Sequence, residues 1–341
     1  MQNFLSLYTL KDIEKIISRR KGETRFGERI QLPNEGQDLE EQLNESEARY
    51  VLFGIPEDIG ITGNYGRKGA RHAWQATLSQ LLNTQHNTEN KAKKVLLLGQ
   101  LDFSEEMKLL DTAGTSGNDR IKKARELTAL IDTEVTDLVC KIVRAGKKPV
   151  VIGGGHNNCY GIMKGCALAL GQPVNCINID AHTDLRKPEG RHSGNGFSYA
   201  WREGLLQRYF IFGLHKNYTP KNIFRKFLKT EENIKYLSFE ELLLAPESSF
   251  EYHMEQAHQF VRKAPYGIEI DCDAIKNVPS SAATPTGFTP EQVRKLVYSW
   301  KNHKNALYLH ICEAAPHPEN EEETRLTGKL ISYLITDFIR K

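Results

Sequence analysis

Short, mostly apolar runs recur along the chain, separated by longer segments whose apolar residues fall three and four apart. The runs lie at 50–53, 95–98, 149–152, 174–179, 209–212, 234–237, 267–270 and 306–311. They do not alternate with polar residues, which suits strands covered on both faces of a parallel sheet. The segments between them predict helices over 72–82, 121–145, 160–170, 223–228, 239–243, 252–262, 290–300 and 326–339. In 121–145, for example, Leu127, Leu130, Ile131, Val135, Leu138, Val139, Ile142 and Val143 share one helical face, and Gly146 closes the pattern. Thr289 is placed to cap the helix that Pro290 begins. Strands alternating with helices predict an α/β protein with a mostly parallel, doubly wound sheet. The stretch 1–48 breaks the pattern. Leu10, Ile13, Ile16 and Ile17 have helical spacing and 33–47 is acidic, so an N-terminal arm and linker is expected before one domain over 49–341. Residues 103–118 are polar and Gly-containing and suggest an inserted loop.

Composition narrows the class by exclusion. The 341 residues are 39% hydrophobic and 26% charged, and no run approaches the roughly 18 apolar residues of a membrane span. The start, Met1-Gln2-Asn3-Phe4, has no basic region leading into an apolar stretch, so no signal peptide is expected. A net charge of +3, with only short basic runs at 19–21 and 91–94, does not suit nucleic-acid binding. The six cysteines form no C-x-x-C pair. Cys140, Cys176, Cys272 and Cys312 lie in apolar segments and suit a reducing, cytoplasmic setting better than a disulfide framework, and nothing marks Cys159 as a nucleophile.

Chemistry concentrates where strands end. The run 174–179 leads directly into Asp180, His182 and Asp184, which on extended backbone point to one side. That is the strand edge at which open α/β sheets bind ligands. Alone, the triplet also suits a polar loop with capping aspartates. Two further strand ends change that. The run 149–152 delivers Gly153-Gly154-Gly155-His156, and 267–270 delivers Asp271-Cys272-Asp273. Four carboxylates in one crevice repel unless cations neutralise them. Two divalent ions would do so, and a carboxylate-rich set with one imidazole per ion and no thiolate favours Mn2+ over Zn2+. Such a pair lowers the pKa of a bridging water and supplies hydroxide near neutral pH, which points to metal-assisted hydrolysis. The Gly-rich stretch Gly60, Gly63, Gly66, Gly69 lacks the G-x-x-x-x-G-K-[ST] arrangement of a phosphate loop.

The three motifs, in this order, resemble the signatures of the ureohydrolase family of arginases, agmatinases and formimidoylglutamases, over residue 50 to the C-terminus. The resemblance includes the Gly-rich loop and Thr286-Gly287-Phe288-Thr289. It implies a three-layer α/β/α arginase-like fold and two Mn2+ per chain. His156, Asp180, Asp184 and Asp271 would hold one ion; Asp180, His182, Asp271 and Asp273 would hold the other. Glu313 matches the family's substrate-binding glutamate, which pairs with a cationic amidine or guanidinium. Ser193 and Asn195 resemble the arginase loop that contacts the α-carboxylate and α-amine.

Phe197 stands where arginases and agmatinases carry a histidine assigned to proton transfer. Ser193-Gly194 followed by a small residue and Phe197, with Gly-Gly-Gly-His156 and Leu185-Arg186, is closer to formimidoylglutamases. The expected reaction is therefore formimidoylglutamate to glutamate and formamide, catalysed by Asp180, Asp271 and Glu313. Arginine, agmatine or another guanidino compound is the alternative substrate. Arg186 is the leading cation for a substrate carboxylate, with Arg191 and Lys216 behind it, and His192 and His215 are candidate proton carriers. Residues 275–281 depart from the Asp-Pro and Gly-rich turn usual after the third motif. A zinc deacylase would want a tandem His-His pair, which is absent. The intact ligand set argues against a non-catalytic relative, and a homo-oligomer is the expected assembly.

Overall fold

The computed structural model describes residues 4–34, 36–112, 117–243 and 248–340. The apolar runs form strands of one nine-stranded sheet: β1 (Leu5–Leu7), β2 (Tyr50–Gly54), β3 (Val95–Leu101), β4 (Lys148–Ile152), β5 (Val174–Ile179), β6 (Leu206–Leu214), β7 (Ile234–Ser238), β8 (Tyr266–Asp271) and β9 (Ala306–Cys312). Their spatial order is β1-β3-β2-β4-β9-β8-β5-β6-β7. Every pairing is parallel except β1 with β3.

Side chains alternate between two apolar layers, which explains why the strands carry so few polar residues. Leu52, Val150, Ile268 and Leu309 face a layer closed by Trp74, Trp300 and Leu334 from helices Ala73–Leu81, Pro290–Trp300 and Glu321–Ile339. Val51, Phe53, Val151 and Cys176 face the opposite layer, closed by Val135, Val139 and Met163 from Gly117–Arg144 and Asn158–Leu170. The fold is a three-layer α/β/α sandwich. No described helix is long and apolar enough to cross a membrane.

Three stretches differ from the pattern-based expectation. The N-terminal stretch adds strand β1 to the sheet edge, with Phe4, Ile13 and Phe26 buried in the core. Three residues carry too little periodicity to announce a strand. Residues 33–47 contain the helix Leu39–Glu45, where the Asp38 side chain accepts from the Glu40 and Glu41 amides. Three of the acidic residues that suggested a linker, Asp38, Glu40 and Glu41, sit at the helix N-terminus, where negative charge is favourable. The supposed insertion 103–118 holds the helix Ser104–Thr112, with Met107 and Leu110 buried, and the start of Gly117–Arg144; residues 113–116 lie outside the described residues.

The order β4-β9-β8-β5 is what matters for function. It places four C-terminal strand ends side by side across the point where the winding reverses, where α/β sheets form crevices.

Candidate metal centre

Each of those ends delivers ligand-type side chains. Past β4 comes His156, past β5 Asp180, His182 and Asp184, from β8 Asp271 and Asp273, and past β9 Glu313. They gather into two adjoining groups, one of His156, Asp180, Asp184 and Asp271, the other of His182, Asp271 and Asp273. Asp271 belongs to both. Asp180 belongs to the first, and its two oxygens face opposite ways: Oδ2 lies 3.3 Å from His156 Nδ1 and Oδ1 lies 3.5 Å from His182 Nδ1.

In the first group, His156 Nδ1 stands 2.9, 3.3 and 3.2 Å from oxygens of Asp184, Asp180 and Asp271, yet meets hydrogen-bond geometry with none of them and is fully buried. Ligand atoms about 2.1 Å from one cation stand roughly 3 Å apart, so this convergence is the spacing that a cation imposes. The donor set fits a pair of hard-to-intermediate divalent ions.

The surrounding chain fixes these groups. Asn178 Nδ2 donates to Asp180 Oδ2 at 2.9 Å, and the His182 amide donates to Oδ1 at 2.7 Å. The Asp273 amide donates to Asp271 Oδ1 at 2.7 Å. The segment 275–281, which departs from the family's usual turn, supplies Ser281, and the next residue, Ala282, donates its amide to Asp273 Oδ1 at 2.8 Å. The loop bearing His156 is anchored by Glu57, a fully buried carboxylate. Its Oε1 accepts from the Gly155 amide and from Asn157 and Asn158, and its Oε2 accepts from the Ile59 and Gly60 amides. Gly154 turns there at φ 72°, and a Cβ would lie 2.7 Å from Glu57 Oε1, so only glycine fits.

Electrostatics follow from the crowding. Burial, then Asp273 and Asp180, pushes Asp271 well above the usual carboxylate range, and burial raises Asp184 and Asp273 as well. Burial also works on Asp180, but the imidazoles of His156 and His182 outweigh it and hold that group low. Burial draws His182 down, yet Asp180, Asp273 and Asp271 outweigh it and lift the imidazole to about 10. A centre with this excess of carboxylates binds protons or cations to balance them.

A cavity of about 190 Å³ opens beside the two groups, lined by His182, Asp184, Asp271, Asp273 and Glu313 and also by Asn64, Arg186, Ser193 and Tyr218. A wider groove of about 1060 Å³ near Arg67 and His317 contains none of the clustered ligands. Glu313 is held at φ 62°, a strained position of the kind that collects at functional sites. Its Oε1 accepts from the His156 amide at 2.7 Å, while the buried Oε2 has no hydrogen-bond partner among the described residues. Burial, then Asp273, pushes it up to about 8.

The structure does not bring Asn195 to this cavity. Asn195 is fully buried, donates to the carbonyls of Gly190 at 2.8 Å and Lys187 at 3.2 Å, and accepts from the His192 amide and Arg191. Those carbonyls turn the amide inward, so the arginase-loop role expected for it does not hold. Arg191 is also committed elsewhere. It reaches Asp132 at 2.8 and 3.2 Å and the Asn157 carbonyl at 2.8 Å, and lies against the rings of both Tyr160 and Tyr199. Removing one partner of a buried ion pair typically costs about 3–5 kcal/mol. Arg191→Met is therefore expected to destabilise the protein by roughly that amount in chemical unfolding; a loss below about 1 kcal/mol would mean that Asp132 is well served without it. Lys216 pairs with Glu241 at 3.2 Å, away from the cavity lining.

His192 accepts from the Gly194 amide through Nδ1, and burial and nearby arginines push it down to about 3. His215 stacks on Tyr218, whose ring also lies 5.5 Å from that of His182. Phe197 packs edge-on against His156 at 5.2 Å, inside the core rather than along the cavity. Burial pushes the Cys159 thiol well up, which leaves it no nucleophilic character.

Three residues of the centre's support went unread in the sequence: Glu57, Glu269 and His310. Glu269 and His310 sit in the middle of β8 and β9, fully buried, with His310 Nδ1 2.5 Å from Glu269 Oε2. An ionisable residue inside an otherwise apolar strand is the signal that could have exposed them.

An open α/β sheet whose central strand ends present adjoining carboxylate–imidazole cradles beside a small cavity defines the class of metal-dependent hydrolases. The arginase family model matches residues 48–336, and the chain belongs to that family. It is a hydrolase acting on carbon–nitrogen bonds of small linear amidines or guanidines. It is 25% identical over 293 residues to a formimidoylglutamase of Lysinibacillus sphaericus, covering 84% of this chain and 82% of the relative. The Bacillus subtilis formimidoylglutamase structure aligns with a TM-score of 0.71 at 16% identity, over 94% of this chain and 92% of that one. A Trypanosoma cruzi formiminoglutamase structure with Mn2+ aligns at 0.69 and 19%, over 93% and 98%. At those identities the structural matches speak for the fold alone.

Proposed function

We propose that this protein hydrolyses N-formimidoylglutamate to glutamate and formamide at a centre of two Mn2+ ions. The observation that carries the reading is the doubled cradle sharing Asp271, with the unpartnered Oε2 of Glu313 buried beside it. The curated relatives named formimidoylglutamase support the substrate, and the carboxylate-rich ligand groups with one imidazole each and no thiolate support Mn2+. Bound ions would supply Lewis acidity and lower the pKa of a water molecule.

This chain's own groups do the rest. Glu313 Oε2 accepts from the amidinium N–H and holds the amidine carbon against the cradle, a charge-assisted contact that cations next door would favour by drawing Glu313 back to its ionised form. Arg186, which lines the cavity with Ser193 and Asn64, receives a substrate carboxylate. Water oxygen adds to the amidine carbon, the bond from that carbon to the glutamate nitrogen breaks, and the nitrogen takes up a proton. Formamide and glutamate leave. A cation in the cavity lining opposes agmatine, whose distal end carries no carboxylate.

The test is to measure formamide and urea release from formimidoylglutamate, arginine and agmatine with Mn2+-loaded protein. Formamide from the first alone is expected; urea from arginine at a higher kcat/KM would overturn the substrate assignment. An ion pair to a charged group contributes about 1.5–3 kcal/mol, so Arg186→Ala should raise KM for formimidoylglutamate roughly 10–100-fold with kcat little changed. An unmoved KM would place the carboxylate elsewhere.

A further inference from the structure

The sheet beneath the first cradle carries a row of polar side chains that a doubly covered parallel sheet has no use for. Asn178, Glu269 and His310 stand opposite one another in register on β5, β8 and β9, each completely buried. Their strand neighbours Ile177, Ile268, Ile270, Leu309 and Ile311 turn to the other face. A carboxylate in such a place is retained only where its charge or its hydrogen bonds are needed.

Glu269 is held by two hydrogen-bond partners and faced by a third group, His156, whose buried Nε2 has no hydrogen-bond partner among the described residues. The Tyr308 hydroxyl donates to Oε1 at 2.7 Å, His310 Nδ1 lies 2.5 Å from Oε2, and His156 Nε2 lies 3.5 Å from the same oxygen. Tyr308 can cross to the neighbouring strand because residue 267 is glycine: a Cβ there would lie 2.0 Å from Tyr308 Cζ. The His156 ring thus spans two environments. Nδ1 meets the converging carboxylates of the cradle, Nε2 faces Glu269, and Phe197 closes the ring's side. An imidazole that ligates through one nitrogen carries its proton on the other, and the acceptor of that proton sets the tautomer and the ring's orientation.

We propose that Glu269 is a positioning residue for the cation held by His156. It stands 3.5 Å from Nε2 as the acceptor to which Nε2–H donates when a cation draws the ring into place, fixing the tautomer whose Nδ1 lone pair faces the cradle, while Tyr308 and His310 hold the carboxylate on station. The inference rests on the two-ion reading of the centre and not on its substrate. It is asymmetric, because Glu269 reaches His156 and lies outside the group formed by His182, Asp271 and Asp273.

The experiment is a Mn2+ titration of the full-length protein followed by electron paramagnetic resonance, which distinguishes free ion, single bound ion and exchange-coupled pair. In Glu269→Gln, one of the two sites should weaken about 10–100-fold while the other keeps its wild-type affinity. At limiting Mn2+ the coupled-pair signal then gives way to a single-ion spectrum, and excess Mn2+ restores it. A general loss of folding would not produce that one-site change. Tyr308→Phe removes one grip, leaves the carboxylate in place, and should move the same site in the same direction by less, which keeps the proposal testable if Glu269→Gln does not fold. Equal weakening of both sites, or wild-type affinity at both in either variant, overturns the proposal alone. A wild-type protein that binds fewer than two ions overturns the two-ion reading and the proposal with it.

Discussion

Asp271→Asn is expected to abolish turnover for practical purposes and to leave fewer than two Mn2+ per chain. Among the described residues Asp271 is the one side chain present in both ligand groups, with Oδ2 3.2 Å from His156 Nδ1 and Oδ1 bound by the Asp273 amide. Losing a shared carboxylate weakens both ions together, and Lewis-acid stabilisation of several kcal/mol corresponds to a fall in kcat of roughly 10^3-fold or more. The direction of the stability effect separates this from misfolding. Burial among like charges already favours the neutral form of Asp271 in the cation-stripped protein, and the amide is close in shape to that neutral acid, so the cation-stripped variant should melt no lower than the wild type. What it should lose is the rise in melting temperature that Mn2+ gives a protein binding it only when folded. A variant that keeps two ions and that thermal shift would show that Asp271 does not join the cradles.

Glu313→Gln should act on substrate and leave the ions alone. The amide preserves the contact of Oε1 with the His156 amide while removing the charge from the unpartnered Oε2. A charge-assisted contact of about 1.5–3 kcal/mol, added to the loss of orientation at the amidine carbon, predicts a fall in kcat/KM for formamide release of roughly 10^2–10^3-fold. Mn2+ affinity at both sites should stay within a few-fold of wild type. Weakened Mn2+ binding with unchanged kcat/KM at saturating metal would instead make Glu313 part of the cradle's charge balance.

The parts of this molecule that were readable from its sequence are those governed by contiguous pattern. Val174–Ile179 and Ala306–Cys312 are mostly apolar because helices cover both faces, and the ligand-type residues that follow them fall where the strands stop. What escaped reading depends on partners remote in sequence. Strand β1 exists because β3 offers an edge for it, and no periodicity in three residues foretells that. Asn195 shares a motif with substrate-binding loops, but Arg191 and two loop carbonyls claim its amide. Glu269 and His310 look anomalous on their own strands and make sense only as a cross-strand pair behind His156. Segment 275–281 departs from the family's usual turn and still leads into clamps on Asp273, because Ser281 and the Ala282 amide reach it.

The most direct test of the two-ion centre is anomalous diffraction at the manganese edge from Mn2+-loaded crystals. Two peaks roughly 3.5–4 Å apart are expected, as in two-metal hydrolytic sites. One should lie among His156, Asp180, Asp184 and Asp271 and the other beside His182, Asp271 and Asp273. A single peak, or peaks away from Asp271, would contradict the account.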